Sequence, residues 1–362
     1  MKDVSISVLK KIEENNFKAY IVGGYPRNEY LNIESADVDI CTSATPKDLK
    51  EIFTDIKLPK EQYGSVVLFK NNIRFEITTF RKDIKYKDKR HPIKIKYIDS
   101  LIDDLKRRDF TINTLCIDSN NEFIDLLGAK EDIDLRIVRA VGNPKTKIRE
   151  DSLRILRAIR FATTLNFNLD KDLKTYIKRY ASSLKKLSYD RKQEELDKIF
   201  SSPNVMAGIN LIERLKLDKY LDLQNIKNVK KTSFSIGIWA QLGELKNYKF
   251  SNHEKQIISS IKELLNKDIM DNNNLYKYGP FVSTIAAEIS GIDRKEVAKK
   301  YDELYIKNIS EINITTNEIC EILNKKPGPF LKEIKNLLEE ALVNKKVSNE
   351  KEALISYLKK YI

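Results

Sequence analysis

"GGYPRNEYLNIESADVDICTSATP", residues 23–46, sets a glycine pair and an arginine ahead of two aspartates one residue apart. The acids alternate with apolar residues in "DVDI", which reads as the start of a short strand. Side chains alternate across a strand, so Asp37 and Asp39 fall on one face while Val38 and Ile40 take the other. Two carboxylates that close repel each other, and either water at a solvated turn or a divalent cation must offset the cost. Oxygen-only ligands suit a hard ion such as Mg²⁺, which also takes triphosphate oxygens. Gly23 and Gly24 would let backbone amides approach a phosphate, and Arg27 would add charge-assisted hydrogen bonds. The stretch alone leaves two readings open, an ordinary turn with a solvated strand or the metal and triphosphate end of a phosphoryl-transfer site.

Around it, residues 4–17 have an amphipathic helical period, "KAYIVGG" reads as a buried strand, and Ala44 to Phe53 as a helix with Pro46 near its start. "GSVVLFKNNIRFEITTF" reads as two strands around the "KNN" turn. On the second, Arg74, Glu76 and Thr78 share a face, which makes Glu76 the candidate for a third carboxylate, although an exposed strand face has the same pattern. Two ions about 4 Å apart can hold the attacking and leaving oxygens of an in-line displacement. "RRDFTINTLCID" and "NEFIDLL" read as a further strand-rich pair, and from "REDSLRILRAIRFATTLNF" onward helix follows helix. The expected fold is α+β, a small mixed head with a β-sheet of roughly 140 residues followed by an all-helical remainder.

Composition narrows the function. The 362 residues are 41% hydrophobic and 33% charged, as expected of a soluble globular chain. No run of 18 apolar residues marks a membrane span, and the opening "MKDVSISVLKKIEENNF" is unlike a signal peptide. Cys41, Cys116 and Cys320 are scattered, and His91 and His253 are the only histidines, which argues against a disulfide frame, a zinc site or a histidine-rich metal site. A cytoplasmic location is expected. The net charge of +13 is concentrated: residues 81–110 hold 11 Lys/Arg against 6 Asp/Glu, and residues 141–200 hold 15 against 8. Such a surface suits a polyanion, nucleic acid in the absence of a membrane signal, although a solvated lysine-rich face has the same composition.

Two more stretches bear on chemistry. In "DDLKRRDFTINTL", Arg107, Arg108 and Asp109 stand together before what reads as an apolar strand, with Asn113 shortly after. Surface ion pairs have this pattern too; a nucleotide site would use Arg108 on phosphate or sugar oxygens, and Asp109 and Asn113 on or behind the ribose. In "IREDSLRILRAIRFA", Asp151, Arg154, Arg157 and Arg160 recur every three residues and are expected to form a polar ridge along a helix. A helix laced by ion pairs has that pattern too. A base offers another use for it. Adenine and cytosine each present an exocyclic amine beside a ring-nitrogen acceptor, so an aspartate that accepts and an arginine that donates would admit A and C. Guanine and uracil carry the reverse order and would leave the pair unsatisfied.

Taken in order, "GGYPRN", "DVD", "RRDFTIN", "DLLG" and "EDSLRILRAIRFA" resemble the motifs of the class II tRNA nucleotidyltransferases, which include CCA-adding enzymes and bacterial poly(A) polymerases. "LSYDRKQEEL" is similar to the next motif, and "KKPGPFLKEIKNLLEEALVNKKVSNEKEAL" to the tail region. The resemblance implies Mg²⁺-dependent, template-independent addition of CCA to the 3′ end of tRNA from CTP and ATP. It implies Asp37 and Asp39 as metal ligands, Gly24 and Arg27 on the triphosphate, and Arg108 on the nucleotide. Asp151 and Arg154 would read the base, with Arg157 and Arg160 supporting them. It also implies a seahorse-like layout: head 1–140, neck 141–200, body 201–272 and tail 273–362, with tRNA along the basic side. Two positions depart from the family pattern. Asn28 replaces an acidic residue after the arginine, and Asp190 replaces a glutamate in the neck. "FRKDIKYKDKRHP" keeps the loop, Arg81 to Arg90, that CC-adding members shorten, which favours full CCA addition. A poly(A) polymerase or an A-adding enzyme shares these motifs. A non-catalytic RNA-binding relic fits poorly with the intact acidic and arginine positions.

Overall fold

The alternation read in "DVDI" builds the centre of a sheet. In the computed structural model, which describes residues 1–35, 37–60, 64–86 and 92–361, the chain forms two compact units, Met1–Asp222 and Leu223–Ile362. The first opens with α1 (Lys2–Glu13), β1 (Ala19–Val22), α2 (Gly24–Tyr30), β2 (Val38–Thr42) and α3 (Pro46–Ile52). Then come β3 (Ile56–Lys60), β4 (Ser65–Lys70), β5 (Ile73–Thr79) and the hairpin of β6 (Arg81–Tyr86) and β7 (Pro92–Tyr97). α4 (Leu101–Lys106), β8 (Cys116–Ile117), β9 (Phe123–Ile124), α5 (Ala129–Asp134) and β10 (Ile137–Val138) complete the mixed part. The main sheet runs β3-β4-β5-β2-β1-β8-β9, with β2 and β5 parallel and the other pairs antiparallel.

One face of this sheet is apolar for a reason visible in the sequence. Ile21, Val38, Ile40, Val66, Leu68, Phe75 and Ile77 pack against Val8, Leu9 and Ile12 of α1. Each such side chain contributes on the order of 1.5–3 kcal/mol when fully buried. A one-residue slip of β2 or β5 would turn that set outward, so the hydrophobic face fixes the register of the acids on the other side.

The remainder of the first unit is helical: α6 (Pro144–Glu150), α7 (Leu153–Thr164), α8 (Lys171–Tyr180), α9 (Tyr189–Phe200), α10 (Val205–Arg214) and α11 (Asp218–Leu221), with the short β11 (Asn168–Leu169) beside β10. The second unit contains α12 (Ser235–Gln241), α13 (Asn252–Leu264), α14 (Asn272–Ser290), α15 (Arg294–Asp302), α16 (Thr316–Ile322), α17 (Phe330–Val343) and α18 (Lys351–Leu358). Among the described residues no helix is long and apolar enough to cross a membrane.

Four expectations need correction or restriction. "RRDFTIN" is not a strand but ends in a single 3-10 turn, Thr111–Asn113. The Asp109 carboxylate accepts from the Phe110 amide and from Asn113 Nδ2, at 2.8 and 3.2 Å, and this local bonding curls the chain. Asp37 lies one residue ahead of β2 rather than within it. Asp151 is not on the helix that carries the arginines: it has extended backbone angles (φ −144°, ψ 111°) between α6 and α7. Of the Arg81–Arg90 loop, residues 81–86 form β6, while residues 87–90 and His91 lie outside the described residues.

Candidate active site

Asp39 stands on the face of β2 opposite the apolar core, between buried Val38 and Ile40. Its register partner on β5 is Glu76. Although Asp39 is exposed, loss of water to the surrounding protein pushes its pKa up; Glu76 and Asp37 push the same way, against Arg108 and Arg74. Glu76 is itself paired to Arg74 at 3.2 Å. Asp37 is exposed.

Gly23 (φ +86°) turns the chain from β1 into α2, and a Cβ there would lie 3.0 Å from Asp39 Oδ2. Only glycine combines that backbone angle with room beside that oxygen. The donors fit a hard divalent cation: they are carboxylate oxygens, their mutual repulsion is what a cation would relieve, and the space beside one of them is kept open. Among the described residues no group of three His, Cys, Asp or Glu side chains is already assembled to hold a metal ion.

Gly24 begins α2, which places Arg27 on its inner side with 6% exposure. Its Nη1 donates to Asn113 Oδ1 at 2.5 Å, and its Nε and Nη2 donate to Asn28 Oδ1 at 3.1 and 2.8 Å. Asn28 therefore still orients the arginine, with a neutral oxygen. Among the described residues no carboxylate is paired with Arg27. Burial, then repulsion from Arg160, lowers its pKa to about 10, partly opposed by Asp109. This is a buried, desolvated cation held by amides, the electrostatic condition for receiving an anion.

Arg108 lies deeper. Its Nη2 donates to Asp104 Oδ2 at 3.2 Å, and its buried Nε has no hydrogen-bond partner among the described residues. Burial works to lower its pKa, but Asp104, with smaller help from Asp39, outweighs that and keeps it charged. Asp104 is fully buried, also accepts from Arg107 Nε at 2.8 Å and from the Arg81 amide at 3.2 Å, and was missed in the sequence. Its spacing of three and four residues from Arg107 and Arg108 on one helical turn was the available signal.

Asp109 joins this part to α7. Burial would raise its pKa, yet Arg157, Asn113 and the Phe110 amide together hold it well below the usual carboxylate range. Arg157 meets its Oδ2 at 2.5 Å through Nη2 and 2.7 Å through Nε. Arg160 pairs with the nearly buried Glu195 of α9 at 3.3 Å. The guanidiniums of Arg27, Arg157 and Arg160 surround the Phe161 ring at 5.3, 5.7 and 4.4 Å from its centroid. Phe161, Glu195 and Arg191 were likewise not singled out in the sequence. Glu195 and Arg191 act through partners distant along the chain. Phe161 instead meets Arg157 and Arg160 of its own helix, and its i, i+4 spacing from Arg157 was the available signal.

The expected Asp151–Arg154 pair is assembled differently from an i,i+3 ion pair. Asp151 Oδ1 accepts from the Leu153 amide at 2.9 Å and Oδ2 from Arg191 Nη2 at 3.1 Å. Arg154 Nη1 donates to the Lys147 carbonyl at 2.8 Å and to Glu150 Oε2 at 2.6 Å, contacts in which its Nε takes no part. Each side chain is thus fixed by other groups rather than by the other. All the candidate residues belong to the first unit; Asn113 and Asp109 join Arg27 to Arg157, and Asp104 joins Arg107 to Arg108. A cavity of about 540 Å³ on the other side of α7, lined by residues including Arg136, Ala162, Lys174 and Arg214, contains none of them.

Comparison with known proteins adds independent findings. A family profile described as "Poly A polymerase head domain" matches residues 19–139, and one for tRNA nucleotidyltransferase domain 2 matches residues 234–358. The CCA-adding enzyme of Ligilactobacillus salivarius is 32% identical, covering 99% of this chain and 96% of its own. That of Anoxybacillus flavithermus is 33% identical over 97% and 95%. Among solved structures, the Bacillus stearothermophilus CCA-adding enzyme in complex with CTP superposes with a TM-score of 0.83 at 27% identity, covering 99% of this chain and 96% of that one. The Thermotoga maritima CCA-adding enzyme complexed with tRNA shares the fold, with a TM-score of 0.74 at 19% identity over 99% and 95%.

Proposed function

The chain belongs to the family of CCA-adding enzymes, and from that premise we propose that it adds C, C and A to the 3′ end of tRNA from CTP and ATP, releasing pyrophosphate at each addition. The observation that carries the reading at the level of residues is Arg27, a buried guanidinium whose hydrogen-bond partners are amide oxygens. A triphosphate supplies the negative charge that this site lacks.

The roles follow from the geometry. Asp37 and Asp39 would hold a divalent cation, Mg²⁺ by the hardness of their oxygens, which when bound supplies Lewis-acid polarisation of the 3′-hydroxyl and the α-phosphate. Glu76 keeps a second carboxylate beside Asp39, and Gly23 and Gly24 let the backbone approach the phosphates. Arg27 binds the triphosphate, and Arg108 offers its unpaired Nε to the nucleotide. Asp109 and Asn113 position Arg157 and Arg27. Asp151 accepts from the exocyclic amine of the base and Arg154 donates to its ring nitrogen, while Arg157 and Arg160 anchor α7 beneath them.

The same proposal divides the chain into head (1–140), neck (141–200), body (201–272) and tail (273–362), with tRNA contacts in the last. It places the protein in the cytoplasm, in keeping with three free cysteines among the described residues. The test is direct. Incubate the protein with tRNA lacking CCA and with CTP, ATP or both, then sequence the 3′ ends. Addition of CC from CTP alone and CCA from both supports the proposal. A long run of A from ATP would assign a poly(A) polymerase instead, and A added only to tRNA ending in CC would assign an A-adding enzyme.

A further inference from the structure

Phe234, at the start of α12, and Phe281, in α14, stand with ring centroids 5.0 Å apart and 50% and 41% of their surfaces exposed. Apolar rings of that size are ordinarily buried, and here two of them adjoin in the second unit. They are held by a rigid frame. Ser233 donates through both its amide and its hydroxyl to Glu288 of α14, and Thr232 Oγ1 donates to the Phe234 carbonyl at 2.8 Å. Lys230 and Gln241 exchange two hydrogen bonds, at 2.7 and 2.9 Å. Gly237 lets Thr232 pass close, since a Cβ there would lie 2.6 Å from Thr232 Oγ1. Trp239, one turn on from Phe234, is buried against Tyr248 at 4.8 Å. On the other side, non-helical Gly279 (φ 71°, ψ 173°) and Pro280 break α14 and set the position of Phe281.

The charge around the pair selects the occupant. Residues 223–243 contain Lys227, Lys230 and Lys231 and no Asp or Glu, while on the α14 side Glu288 is bonded to Ser233 and Lys277 is paired with Glu263 at 3.1 Å. A rigid aromatic surface flanked by cations is the arrangement that stacks a base while its backbone stays near positive charge. We propose that Phe234 and Phe281 form a stacking platform for an unstacked base of the tRNA, a contact separate from the catalytic residues that deepens the tRNA reading and rests on it.

The experiment uses the full chain and tRNA lacking CCA. Phe234→Ala and Phe281→Ala are expected to raise the Kd for tRNA about tenfold each, the scale of a lost base–aromatic stack. Phe281→Trp should retain wild-type affinity. The kcat for CTP addition at saturating tRNA and the melting temperature should stay unchanged. Plots of log Kd against log salt should be displaced without a change in slope, because no phosphate contact is removed. Wild-type Kd in both Ala variants, with folding intact, overturns the platform. So does light scattering that shows a dimer which the Ala variants dissolve, since the rings would then bury each other's copies. A wild-type protein that adds no nucleotide to tRNA would instead defeat the functional reading itself.

Discussion

Asp39 and Glu76 are register partners on neighbouring parallel strands, so two carboxylates stand side by side on the face of the sheet opposite the α1 core. Their repulsion is built into the β2–β5 pairing and is not relieved by moving either strand, because the apolar residues between them fix the register.

Replacing Asp37 or Asp39 with Ala should abolish both C and A addition while leaving tRNA affinity near wild type. Primer-extension gels and filter binding on the same preparations check this. Extension at wild-type rate by the Asp39→Ala protein would remove it from catalysis.

Asp151→Asn keeps an oxygen for the Leu153 amide but can turn an N–H toward the base. It should lower kcat/KM for CTP and ATP and narrow their advantage over UTP and GTP roughly tenfold or more, the cost of an unpaired buried group. A purely structural Asp151, tying α7 to Arg191, predicts a lower melting temperature with nucleotide preference unchanged. Kinetics with all four nucleotides beside a thermal melt separate the two.

Asp104 is the shared acceptor of Arg107 and Arg108, and it is fully buried. Asp104→Ala removes the fully buried partner of the partly buried Arg108 and Arg107, so it should cost about 3 kcal/mol of stability. Urea denaturation monitors the loss. Asp104→Asn, which keeps an acceptor, should lose less and should still weaken CTP binding. Equal stability of wild type and Asp104→Ala would refute the role.

Lys147 is buried and donates from Nζ to the Lys106 carbonyl at 2.7 Å. Burial first, then Arg154, lowers its pKa to about 8 from an ordinary 10.5. Between those values the unfolded chain still holds the proton that the folded chain has released, so this group makes stability rise with pH through that window. Relative to Lys147→Met, wild-type stability should therefore climb by on the order of 1 kcal/mol from pH 7.5 to 10. The Met variant also loses the bond to Lys106, which moves the level of its curve but not this difference in slope. Parallel slopes would contradict the shift.

The head strands β1, β2, β4 and β5 were legible because alternation and the "KNN" turn are local signals, and so was the helix bearing Arg154, Arg157 and Arg160. Asp151 was misplaced because an acidic residue before a helix continues the three-residue spacing on paper; only its backbone angles and its bond to the Leu153 amide show that it precedes the helix. "RRDFTIN" read as a strand because its apolar residues alternate, while the Asp109–Asn113 bond that curls it leaves no periodic trace. Glu195 and Arg191 were illegible for a simpler reason. Their partners, Arg160 and Asp151, are brought to them by the packing of α9, and no spacing in one sequence encodes such a contact.

The amide grip on Arg27 bears on turnover. In its proposed role, the positive charge that would draw in a triphosphate is bare again once pyrophosphate departs, so every cycle would end by recreating an unfavourable resting state. Product departure is then the uphill half of the cycle, and a leaving group that lingers beside a freshly made phosphodiester favours the reverse reaction. Excess pyrophosphate should strip the newly added nucleotide back off as its triphosphate, and a carboxylate in place of Asn28 would ease release at the expense of capture.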